Sequence, residues 1–126
     1  MSENLEKARF WSNYLVVHCE CSKAEVIGQH LVGARFSSFC PCGCSSFEVE
    51  VANRNDLEPL IPPKPTHSEA HYGFFSHDRI LTDGGNLSIT AFCDAQGILC
   101  GIDVDINTNT EPVPDPVVAA RLLGLK

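Results

Sequence analysis

Leu87, Ile89, Ala91 and Cys93 alternate with Ser88, Thr90 and Phe92, and a second alternating run begins almost at once. There Ile98, Cys100, Ile102, Val104 and Ile106 alternate with Gly101, Asp103 and Asp105. A period of two puts the apolar side chains of a strand on one face and the polar ones on the other. Asp94-Ala-Gln-Gly97 lies between the runs and reads as a hairpin turn, with glycine at its left-handed position. Two half-buried strands joined by a tight turn pair antiparallel. Each then has one apolar face to cover. This segment commits the chain to an antiparallel sheet with a second layer on one side.

The remaining elements fit that layout. Leu5, Ala8, Trp11 and Leu15 recur at helical spacing, which predicts a helix over Asn4 to Leu15. The run Tyr14 to Val17 also suits the opening of a strand. Ser22-Lys-Ala-Glu25 is a capping-box pattern and predicts a short helix to about Leu31, with Val26, Ile27 and His30 or Leu31 turned inward. Ala34 to Phe39 and Ser46 to Ala52 read as a strand pair, with Cys40-Pro-Cys-Gly-Cys44 as the tip of the hairpin. Ala70 to Ser76 reads as a strand with Tyr72 and Phe74 on one face, and Asp83-Gly-Gly-Asn86 as a turn. Asp115-Pro116 sets a cap and a first-turn proline before a final helix, Val117 to Leu123, which Gly124 stops.

Hairpins outnumber strand–helix–strand units. The expected fold is α+β, a mainly antiparallel sheet of about five strands with two or three helices packed on one face. Residues 53–66 carry Pro59, Pro62, Pro63 and Pro65, which argues against helix and against a central strand. This stretch reads as a crossover inside one domain spanning residues 1–126. A division there would leave halves near the lower limit for independent folding.

Net charge is −7 and the isoelectric point about 5.0. Counterion release rewards basic proteins, so the balance argues against nucleic acid and anionic membrane as partners. The amino-terminal segment lacks the basic and apolar regions of a signal peptide, and no apolar run is long enough to span a bilayer. The expected location is the cytoplasm. Between Asp94 and Asp115 stand Asp94, Asp103, Asp105, Glu111 and Asp115, with no lysine or arginine among them. These acids are a candidate surface for a basic protein partner.

Cysteine is the most concentrated chemical signal. Five of the seven are Cys19, Cys21, Cys40, Cys42 and Cys44. Thiolates in two short segments suit one structural zinc, although a Cys-x-Cys pair is closer than the usual knuckle spacing. The competing reading is structural, because free cysteine is among the most buried residue types. Thiol redox chemistry is the third reading, with Arg35 the one nearby cation.

The stretch from Gln29 to Val51, centred on Phe39-Cys-Pro-Cys-Gly-Cys44, resembles small bacterial proteins of unknown function that share a strand–Cys-x-Cys-Gly-Cys–strand motif. Gly97 to Asp105 resembles a later strand of the same group. The resemblance implies an α+β fold with the cysteine turn at a hairpin tip, and it implies no activity.

His67 and His71 are spaced i, i+4, with His77 further on, but the glutamate is misplaced for a metalloprotease helix. Asp103 and Asp105 pair on one strand face, where they could hold a cation, serve as acid and base, or simply protect an edge. No phosphate loop or nucleophile elbow is present. The sequence therefore points first to an acidic protein-binding module, of the kind seen in inhibitors and toxin-neutralising immunity proteins. A structural or regulatory zinc protein is the second expectation. A cysteine- or histidine-dependent enzyme is the third.

Overall fold

The computed structural model describes residues 3–40, 45–62, 72–108 and 110–125, without the side chains of Glu3 and Arg54. Its elements run α1 (Glu3–His18), α2 (Ala24–Leu31), β1 (Arg35–Ser37), β2 (Phe47–Glu50), β3 (Tyr72–Ile80), β4 (Asn86–Cys93), β5 (Leu99–Ile106) and α3 (Pro116–Leu122), with a 3-10 turn at Arg54–Asp56. The strands form one sheet in the order β1-β2-β5-β4-β3, and every neighbouring pair is antiparallel. The α+β expectation holds.

The core lies between the sheet and the helices. Phe47 and Val49 of β2, Leu87, Ile89, Ala91 and Cys93 of β4, and Ile102, Val104 and Ile106 of β5 are buried on the covered face. Ala8, Trp11 and Leu15 of α1 meet them, with no exposure at all. The run Tyr14 to Val17 continues this helix and opens no strand. From α2 the chain buries Ile27 and His30, and α3 buries Ala119.

His30 ties three segments together. Its Nδ1 accepts the backbone N–H of Leu99 at 3.2 Å, so Nε2 carries the proton and donates to the carbonyl of Glu58 at 2.8 Å. The first segment of the crossover is thereby fixed to α2 and β5. Leu60 of that crossover is buried, and its N–H donates to the Gly97 carbonyl at 2.7 Å.

Three local expectations need correction. The predicted capping box is not formed: the cap of α2 is Lys23, with no side-chain hydrogen bond. Glu20 and Cys21 arrange the turn instead, Glu20 with φ of 55° and Cys21 with a sulfur that receives the Lys23 N–H at 3.4 Å. The third strand is longer than its pattern suggests, because Asp78 and Arg79 continue it to Ile80. A register shift between Gly73 and Phe75 takes Phe74 out of step and sends Phe75, His77 and Arg79 to the helix-covered side. A second shift, where Cys93 pairs with Leu99, puts Cys100 out of alternation with Ile102. The last helix forms as its signals predict: Asp115 Oδ1 accepts the Val118 N–H at 3.1 Å and Gly124 follows with φ of 75°.

Candidate functional site

Antiparallel strands covered on one face leave the other to solvent. Register decides which side chains collect there. Pairing of Ser37 with Glu48, Glu48 with Gly101, Phe92 with Gly101 and Gly73 with Phe92 makes one row across all five strands. The next row is Asp103, Thr90 and Ser76, and the one after it is Asp105, Ser88 and Asp78. Arg35 opposes Glu50 on the same side. Glu48, Glu50, Asp78, Asp103 and Asp105 therefore share one face. Among the described residues Arg35 is its one Lys or Arg.

The face is not flat. Glycine stands on both sides of Phe92. A Cβ on Gly73 would lie 3.4 Å from the Phe92 ring, so the ring leans over that bare position. On the other side, Gly101 leaves a groove of about 350 Å³. Phe92 forms one wall, Glu48 and Asp103 flank it, and Ser38 closes the end. Ser38 donates to Glu48 Oε1 at 3.2 Å and steadies that carboxylate. An aromatic wall beside two carboxylates matches the side chain of arginine or lysine, whose cation meets the ring face and the acids together.

The five acids of the carboxy-terminal third divide by role. Asp103 and Asp105 lie on the open face. Asp94 Oδ1 accepts the N–H groups of Gln96 and Ile98 and holds the β4–β5 turn. Glu111 accepts from Asn107 Nδ2 at 2.9 Å, and Asp115 caps α3. Sequence reasoning missed Glu48, Glu50 and Asp78 as members of an acidic surface. Outward alternation of Glu48 and Glu50 was a visible signal, but their adjacency to Asp103 is a fact of long-range pairing.

The cysteines fall into separate places. Cys19 and Cys21 are both buried at the turn between α1 and α2. Burial, then the neighbouring Cys21, pushes the Cys19 thiol from its usual 9.0 up to about 12, against the opposing pull of the Arg79 guanidinium. The thiol is thus held protonated. Burial also raises Tyr14, with Cys19 adding to the shift and Arg79 opposing it. Arg79 belongs to β3 on one sheet edge, whereas Cys40 follows β1 on the other, roughly 19 Å away at the usual strand spacing. The described residues do not bring Cys40 to Cys19 and Cys21. Cys42 and Cys44 lie outside the described residues, and among those described no group of three or more His, Cys, Asp or Glu side chains gathers as a metal site would require.

His67 and His71 also lie outside the described residues. His77 faces the covered side opposite Ile89, and its Nε2 is buried without a partner among the described residues. No described helix is long and apolar enough to cross a membrane. Comparisons with protein-family models, with curated proteins and with solved structures find no match to this chain.

Proposed function

We propose that this chain is a small protein-binding module whose open sheet face receives a basic partner. The observation that carries this reading is the groove over Gly101, where Phe92, Glu48 and Asp103 surround space for one cationic side chain. Glu50, Asp105 and Asp78 extend the same sign of charge across the sheet. Such a field speeds encounter with a basic surface, while the groove supplies the contact that fixes register. An inhibitor or a toxin-neutralising immunity protein, and hence a bacterial and cytoplasmic protein, is the kind of molecule this chemistry suits.

The test is affinity capture with tagged wild-type protein, repeated with Glu48→Lys/Asp103→Lys. The reading expects a stoichiometric basic partner that the double variant loses and that added salt releases. Retention of the same partner by the double variant would sink it.

A further inference from the structure

The hydrogen bonds of His30 fix its charge as well as its place. Nδ1 accepts the Leu99 N–H at 3.2 Å, and Nε2–H donates to the Glu58 carbonyl at 2.8 Å. Only the neutral ring can do both, because an imidazolium donates at both nitrogens. A second proton, on Nδ1, would point at the hydrogen of the Leu99 N–H. The ring has no exposure, and no carboxylate among the described residues lies within 4.0 Å of its nitrogens to balance a charge. A buried charge without a partner is strongly destabilising.

What the ring holds is a thin attachment. Residues 57–61 of the crossover are tied down by the Glu58 carbonyl on His30 and by the Leu60 N–H, which donates to the Gly97 carbonyl at 2.7 Å. Leu60 is buried, and Leu57 and Ile61 pack partly buried against the core. Lys23, the cap of α2, meets Glu58 at 3.7 Å, but those side chains are 44% and 62% exposed, so water screens the pair. The other charges on the surrounding elements lie elsewhere. Glu25 and Asp56 are exposed on α2 and the crossover. On α1, which packs beside α2, Glu6, Arg9 and His18 are exposed and Lys7 is half-buried. Asp94 is engaged by the β4–β5 turn, and Asp103 and Asp105 of β5 stand on the open face. The thiols of Cys19 and Cys21 are buried at the turn between α1 and α2.

We propose that His30 is an acid-sensitive latch, whose second proton releases residues 57–61 from α2 and β5. The enclosed ring takes that proton only when the segment has lifted, and the proton then keeps the segment from closing. An open chain takes it up at about pH 6.5, and the closed site has no place for it. Closure is therefore secure above that pH and weakens as pH falls below it. The latch uses no residue of the acidic sheet face, so it stands or falls apart from the basic-partner reading.

The test is nuclear magnetic resonance on the full chain from about pH 8 to about pH 5, reading the His30 ring nitrogens together with amide hydrogen exchange corrected for its intrinsic pH dependence. At the upper end the ring should show the Nε2–H tautomer. On acidification the second proton should arrive in the same step in which the Leu60 and Leu99 amides lose protection by roughly tenfold or more, while β4 stays protected. His30→Gln cannot take up that proton, so in the folded variant Leu60 protection should not change across the range. The wild-type reading decides alone should that variant fail to fold by circular dichroism. Glu58→Gln keeps the carbonyl and removes only the exposed ion pair, so it should keep the step. The proposal is overturned if the ring gains its second proton with Leu60 and Leu99 still protected, if it stays neutral throughout with the segment closed, or if β4 loses protection in the same step. It is equally overturned if folded His30→Gln shows the wild-type step or if Glu58→Gln abolishes it.

Discussion

His30 shows how much one buried side chain can hold. It is fully enclosed, and both ring nitrogens are used by backbone groups far away in sequence. His30→Ala would leave the Leu99 N–H and the Glu58 carbonyl without partners and open a cavity. A loss of about 3 kcal/mol is expected in urea unfolding. The sequence turns Ile27 inward on α2 and leaves the next inward position to His30 or Leu31; the structure buries His30. Its partners are not legible in the sequence, since nothing local links residue 30 to residue 99. Cys19 carries a different prediction. Its folded pKa lies above the unfolded value, so its contribution to stability is complete below pH 9.0 and is lost as pH rises toward about 12. Tyr14 shifts in the same direction. Alkaline unfolding should therefore be steeper in wild type than in Cys19→Ala. Iodoacetamide should label Cys19 in native protein far more slowly than in denaturant, because the thiolate is the nucleophile.

Turns and caps set the elements. Gly97 adopts φ of 81°, and a Cβ there would stand 2.5 Å from the Ile61 carbonyl oxygen and 2.6 Å from Pro59 Cβ. Gly97→Ala should thus do more than strain a turn. It should push the crossover off β5, costing more than about 2 kcal/mol, and thermal melting would report it. Asp115→Ala removes the cap of α3 and should cost about 1 kcal/mol in the same assay. Gly28 is the reverse case: a Cβ there would make one ordinary contact, with Val16 Cγ1 at 3.9 Å, so Gly28→Ala within α2 should stabilise by roughly 0.5–1 kcal/mol. The β4–β5 hairpin and α3 were legible because their signals are local: alternation, a glycine turn, Asp-Pro before a helix. The shifts at Phe74 and Cys100 were not. A register shift appears only when a strand must match a partner, and no residue type announces it. The α2 start misled for a related reason, since the left-handed Glu20 and the Cys21 sulfur organise the turn that Ser22 seemed suited to cap.

At the scale of the whole molecule, the sheet converts scattered acids into one surface. Counting along the chain groups Asp94, Glu111 and Asp115 with Asp103 and Asp105. Folding instead assigns the first three to a turn, a loop and a cap. It brings Glu48, Glu50 and Asp78 to join the remaining two. The antiparallel class of the sheet was legible in alternation, while the membership of its open face required the strand order. The groove over Gly101 was hidden for the same reason, because Glu48, Phe92 and Asp103 come from three strands. The most direct test is quantitative capture by three proteins: wild type, Glu48→Lys/Asp103→Lys, and Glu25→Lys/Asp56→Lys as a control with the same change in charge. Glu25 and Asp56 are exposed, on α2 and the 3-10 turn, and belong to no strand of the sheet. A basic partner held one-to-one by wild type and the control, and lost by the sheet variant, is the predicted result. No stoichiometric partner, or one held equally by all three, would contradict it.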